Sequence, residues 1–162
     1  MRLRNALFSL MLAVAPAALA ADAAPAPDFN LPGRDGPVKL AELKGKVVYV
    51  DFWASWCGPC RQSFPWMNEV QRQYGKQGLE IVAINLDQEP ELAARFIETT
   101  QPKFTIAFDA EGKVAERYGV QGMPSSYVID REGRLHTRHV GFRDKDRSEL
   151  ERTLRALLEA RS

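Results

Sequence analysis

The sequence predicts an α/β fold: a central mixed β-sheet with helices on both faces. Three observations carry that reading. Val47–Trp53 and Leu79–Leu86 are apolar runs with almost no alternating polar residue, as strands of a sheet covered on both sides require. A helical pattern follows each of them. The chain then closes with a hairpin pattern and a last amphipathic helix.

The 162 residues, 45% hydrophobic, are enough for one domain with a substantial core. A net charge of +1 with no basic stripe argues against a nucleic-acid partner. Residues 1–20 read as an export signal. Arg2 and Arg4 form a positive start, Ala6–Ala20 is apolar, and Ala18-Leu19-Ala20 is a small-x-small cleavage site. The apolar stretch is shorter than the roughly 20 residues of a membrane span, which makes an uncleaved anchor the lesser alternative. No cysteine lies near the cleavage site, which excludes a lipoprotein. The implied destination is a bacterial periplasm, where disulfides persist.

Residues 21–27, rich in Ala and Pro, read as a linker, and 28–162 as the domain. Phe29–Leu31 and Val38–Leu40, separated by the Gly33–Pro37 turn, predict a short hairpin. Leu40–Leu43 predicts one helical turn, closed by Gly45. A helix from Pro59 to Tyr74 places Cys60, Phe64, Met67 and Tyr74 on one face and carries Pro65 in its interior, where a kink is expected. Pro90 opens a second helix with Leu92, Phe96 and Ile97 as its apolar stripe. Phe104–Phe108 predicts a strand and Gly112–Tyr118 a short helix stopped by Gly119. Ser126–Asp130 and Leu135–Val140 flank the turn Arg131–Arg134. Asp146 and Glu149 have capping-box spacing ahead of Leu150, Leu154, Leu157 and Leu158.

The chemistry is carried by Trp56-Cys57-Gly58-Pro59-Cys60, which holds the only two cysteines. A strand ending at Trp53 and a helix starting near Gly58 put Cys57 at a helix N-terminus, with Cys60 one turn on. Pro59 is tolerated there because its missing N–H would have no intrahelical partner. The spacing suits a redox-active disulfide. The positive end of the helix lowers the Cys57 thiol from its ordinary value. Cys57, facing solvent, is therefore expected to be the nucleophile, and Cys60, on the apolar stripe, the resolving thiol. Asp51, the one charge in its strand, is expected to be buried, with a raised pKa, and to take the Cys60 proton.

Rival chemistries are weak. A structural zinc site needs four ligands, and a second cysteine pair is absent; His136 and His139 lie three apart in a strand and face opposite sides. A peroxidase usually has Thr or Ser three residues before its cysteine, where this chain has Ala54. A purely structural disulfide would close a tiny loop and stabilise little. A disulfide oxidase or isomerase is the alternative that stays open, since oxidants differ by a more depressed nucleophile pKa.

Val50-Asp51-Phe52-Trp53-Ala54-Ser55-Trp56-Cys57-Gly58-Pro59-Cys60 resembles the active-site segment of thioredoxin, and Pro65 matches its helix proline. Gly122-Met123-Pro124 resembles the cis-proline loop of that family. Ala26-Pro27-Asp28-Phe29, Leu40–Lys46, the β–α insert from Leu79 to Asp109, and Val128-Ile129-Asp130 with Gly133 resemble the exported TlpA/ResA-type reductases. The resemblance implies a thioredoxin-like fold with the TlpA-type insert, no cofactor, and a cis Met123-Pro124 bond beside the dithiol. It implies that Met123 and Pro124, with Trp56, Gly58 and Pro59, contact substrate. It implies disulfide-containing exported proteins as substrates, apocytochrome c among the candidates, and a membrane electron donor of the DsbD/CcdA kind. Ser63 and Ser125 stand where relatives carry Glu, which weakens the case for a dedicated apocytochrome partner. Asp51 stands where many exported relatives carry Asn.

Overall fold

The computed structural model describes residues 23–160; the expected export signal lies outside them. Seven strands and four α-helices follow in chain order. They are β1 (Asn30–Leu31), β2 (Val38–Lys39), β3 (Val47–Trp53), α1 (Gly58–Tyr74), β4 (Leu79–Asn85), α2 (Pro90–Thr100), β5 (Thr105–Phe108), α3 (Lys113–Arg117), β6 (Ser125–Ile129), β7 (Leu135–Val140) and α4 (Asp144–Glu159). Leu40–Leu43 is a single 3₁₀ turn.

The main sheet has the order β5-β4-β3-β6-β7. β3 pairs in parallel with β4 and antiparallel with β6, so the strand that leads to the cysteines is central. All seven of its residues are buried. Alternate residues serve two cores. Val47, Tyr49 and Trp53 face a cluster with α1, α2 and α4, including Phe64, Met67, Phe96, Leu150 and Leu154. Val48, Val50 and Phe52 face the opposite cluster, built from the β1–β2 hairpin, the 3₁₀ turn and α3.

α1 continues through Pro65, whose missing N–H leaves the Arg61 carbonyl without its helical donor. Gly33 has a tight position in the first hairpin. A Cβ there would meet Gly36 O at 2.5 Å and Val38 Cγ2 at 2.6 Å, so only glycine lets the turn close against β5.

Four sequence expectations need correction. Leu92 is exposed, and the buried face of α2 is Ala93 and Phe96, because the small Ala93 admits the helix close to the core. α4 begins earlier than expected. Arg143 is its N-cap, and Asp146 rather than Glu149 supplies the capping carboxylate, accepting from the Arg143 N–H at 2.9 Å. The segment read as linker is partly attached: Leu135 N–H donates to Ala24 O at 2.8 Å, Ala26 N–H donates to Gly133 O at 3.0 Å, and Ala26 is buried. Backbone pairing to the β6–β7 turn holds it whatever its side chains are. Finally, Cys57 is only 4% exposed, not open to solvent, because the disulfide and the apolar cluster cover it.

Candidate active site

β3 ends at Trp53, in the middle of the sheet, and the loop Ala54–Trp56 turns the chain into α1. Cys57 is the N-cap of α1, and its Sγ accepts from Cys60 N–H at 3.2 Å. The sulfur therefore occupies the position that an N-cap oxygen would, facing the unpaired amides of the first turn. Cys57 and Cys60 are joined as a disulfide, with Cα atoms 5.3 Å apart. Cys60 is fully buried. Ser63, one turn on, is also buried and donates to the Cys60 carbonyl at 3.0 Å, which satisfies its hydroxyl inside the apolar face.

Trp56 is 73% exposed beside the cysteines, whereas Trp53 is in the core, edge-on to Phe64 and tilted against Phe96. A Cβ on Gly58 would meet nothing, so that side of the loop is open. The Met123-Pro124 bond is cis. Met123 packs on the same apolar cluster that contains both cysteines. Ser125 Oγ donates to Gly122 O at 2.7 Å, and Gly141 N–H to Pro124 O at 2.8 Å, fixing the loop to β7.

Asp51 lies on the α1 face of β3, two residues from Tyr49 and two from Trp53. It is 1% exposed, and its Oδ2 has no hydrogen-bond partner. Burial pushes its carboxyl well above the ordinary range, as expected for an acid with no charge partner to offset desolvation.

One functional contact was not read from the sequence. Asp87, just past β4, accepts from the Ser55 N–H at 2.9 Å, the Ser55 Oγ–H at 2.9 Å and Asn85 Nδ2 at 2.8 Å. It clamps the loop that carries Trp56 into Cys57. Its only sequence signal was a polar pair, Asn85 and Asp87, closing an apolar strand. Among the described residues no cluster of three or more His, Cys, Asp or Glu could hold a metal.

A disulfide across the first turn of a helix, following a central strand that carries a buried acid, on a mixed sheet, defines a protein-disulfide oxidoreductase of thioredoxin-like fold. Comparisons with known proteins agree. The Redoxin family model matches residues 21–154. Thiol-disulfide oxidoreductase ResA of Bacillus anthracis is 34% identical over 125 residues, covering 76% of this chain and 72% of its own. ResA of Geobacillus kaustophilus is 36% identical over 134 residues, covering 82% and 75%. The crystal structure of a candidate thiol:disulfide interchange protein DsbE from Chlorobium tepidum superposes with a TM-score of 0.83 at 51% identity, covering 84% of this chain and 96% of that one. The chain belongs to the Redoxin family and is a thioredoxin-like protein of the TlpA/ResA type.

Proposed function

We propose that this chain is an exported, periplasmic protein-disulfide reductase in which Cys57 attacks, Cys60 resolves and Asp51 takes the Cys60 proton. The observation that carries the reading is the buried Asp51 carboxyl, its Oδ2 without a hydrogen-bond partner, on the sheet face that α1 covers. An acid whose charged form is penalised by burial is a competent proton acceptor near neutrality.

In the reduced enzyme the Cys57 thiolate attacks one sulfur of a substrate disulfide. The first product leaves as a thiolate and takes a proton from water, and a mixed disulfide remains. Asp51 removes the proton of Cys60. The Cys60 thiolate then attacks Cys57 Sγ, and the second product sulfur leaves and is protonated. Two electrons pass from the dithiol to the substrate. Trp56, Gly58 and Pro59 on one side and Met123 and Pro124 on the other border the sulfurs and receive the substrate, an extended peptide segment taken up by backbone pairing. The Gly58-Pro59 dipeptide between the cysteines is that of the reducing thioredoxins and favours the reductive direction.

The substrates on this reading are disulfide-containing exported proteins, apocytochrome c being one candidate. No helix among the described residues is long and apolar enough to cross a membrane. Electrons must then reach the dithiol from a membrane donor of the DsbD/CcdA kind, since the compartment itself is oxidising. Thiol trapping of the Cys57–Cys60 pair in cells tests this. The pair is expected to be largely reduced in the presence of such donors and to become oxidised when all are deleted; a pair still fully reduced after deletion contradicts the reading.

A further inference from the structure

If Asp51 takes a proton in each cycle, that proton must leave, yet Asp51 is surrounded by apolar neighbours on its own strand. The sheet provides a row of polar residues leading away from it. Asp51 on β3 is paired with Ser126 on β6, and Ser126 is paired with His139 on β7. Residues opposite one another in an antiparallel ladder share a face. That face is the α1/α4 side, because Val128, two residues from Ser126, lies in the cluster with Tyr49 and Trp53. The row therefore runs from the α1 face of the central strand β3 to the edge strand β7, about 10 Å at one strand spacing per step.

The groups along it have the required chemistry. Ser126 is buried, and its hydroxyl can donate and accept at once. Tyr49, two residues from Asp51 on the same face of β3, has its phenol pushed up by burial and by the Asp51 charge. Imidazole is the side chain that exchanges protons near neutral pH. The His139 side chain keeps 22% of its surface in solvent, its Nε2 is buried without a hydrogen-bond partner, and it lies 3.5 Å from Asp146 Oδ2. The charged groups around it come from α4 and its N-cap: Asp146, and Arg143, which is itself bonded to Asp146 at 3.1 Å. Arg138, its neighbour on β7, points the other way, over Tyr127. Two buried polar atoms without partners, Asp51 Oδ2 and His139 Nε2, thus stand at opposite ends of one row with a hydroxyl between them.

We propose that Ser126 and His139 form the route by which Asp51 exchanges its proton with solvent, an inference that rests on Asp51 acting as the base for Cys60. The Asp51 carboxyl proton passes to Ser126 Oγ as the Ser126 hydroxyl proton passes to the His139 ring. The imidazolium, held beside Asp146, then gives its proton to water. The route carries protons only, so it sets the rate of the resolving step and leaves the redox equilibrium alone.

The test is stopped-flow resolution of a peptide mixed disulfide on Cys57, near neutral pH, with the reduction potential measured on the same variants. Ser126→Ala is expected to slow resolution about tenfold, less than the ~10²–10⁴ of a lost acid–base group because local opening still lets Asp51 exchange. Ser126→Thr, which keeps the hydroxyl, retains the rate. His139→Ala is slowed similarly and is restored by added imidazole, with the potential unchanged. Normal rates in both Ser126→Ala and His139→Ala, with Asp51→Asn slow, overturn the route and leave Asp51 as the base. A normal rate in Asp51→Asn overturns both. A His139→Ala defect that imidazole does not restore, with an altered potential, assigns His139 a structural role and also overturns the route.

Discussion

Cys60→Ser turns the enzyme into a trap: mixed disulfides accumulate on Cys57 and do not resolve. Cys57 is the sulfur at the N-cap of α1, where the first-turn amides stabilise its thiolate, and Cys60 is fully buried. Cys57 keeps 4% of its surface exposed and Cys60 none, so a substrate meets Cys57 first and the intermolecular bond is expected there. Removing the second removes the displacement that ends the cycle. Turnover is expected to fall to background, and non-reducing electrophoresis of cell extracts should show adducts that thiol reagents release. Cys57→Ser should show neither adducts nor activity. Adducts on Cys60 in Cys57→Ser would reverse the assignment of the two sulfurs.

Asp51→Asn is expected to separate activity from stability. The resolving step loses its proton acceptor and should slow on the order of 10²-fold near neutral pH. The deficit should shrink as pH rises and the Cys60 thiol ionises unaided. Stability should move the other way. The folded-state pKa of Asp51 is raised well above the unfolded value, so between those two values the native state binds more protons than the unfolded chain. Stability then falls as pH rises through that window. Asparagine, with the same shape and no charge, removes the penalty. A gain in stability is expected above the folded pKa, from relief of a buried unpaired charge, and it should vanish at pH values low enough that both states of the wild type are protonated. Denaturation at several pH values checks the sign. An unchanged resolution rate would leave Asp51 as a structural residue.

The parts of the fold that were legible in the sequence are those whose burial leaves a pattern. β3 matches its predicted bounds because a strand covered on both faces must be apolar throughout. The stripe through Cys60, Phe64, Met67 and Tyr74 is buried as its spacing requires. The same logic misplaced Leu92, because hydrophobicity favours the larger side chain while the approach of α2 to the core favours Ala93. The attachment of Ala24 and Ala26 was invisible because it is made by backbone groups, which composition does not encode. The capping residue of α4 was misread because two acids fit the spacing, and only the structure shows Asp146 buried and bonded to Arg143.

At the site, the cysteines, Asp51 and Trp56 followed from local sequence. The Met123-Pro124 loop followed from resemblance alone. Asp87 and the row through Ser126 to His139 depend on strand register, which brings together residues far apart in the chain. Register is fixed by tertiary pairing, so a reading of local pattern does not reach it.

The central claim is that the Cys57–Cys60 pair gives electrons to substrates. The direction depends on where the couple stands relative to its surroundings, and its reduction potential, measured by equilibration with glutathione or dithiothreitol buffers, tests that most directly. A reductase requires a value near or below thioredoxin's, about −270 mV, and that is the expected result; a value near −120 mV, in the range of strong oxidants, would contradict it.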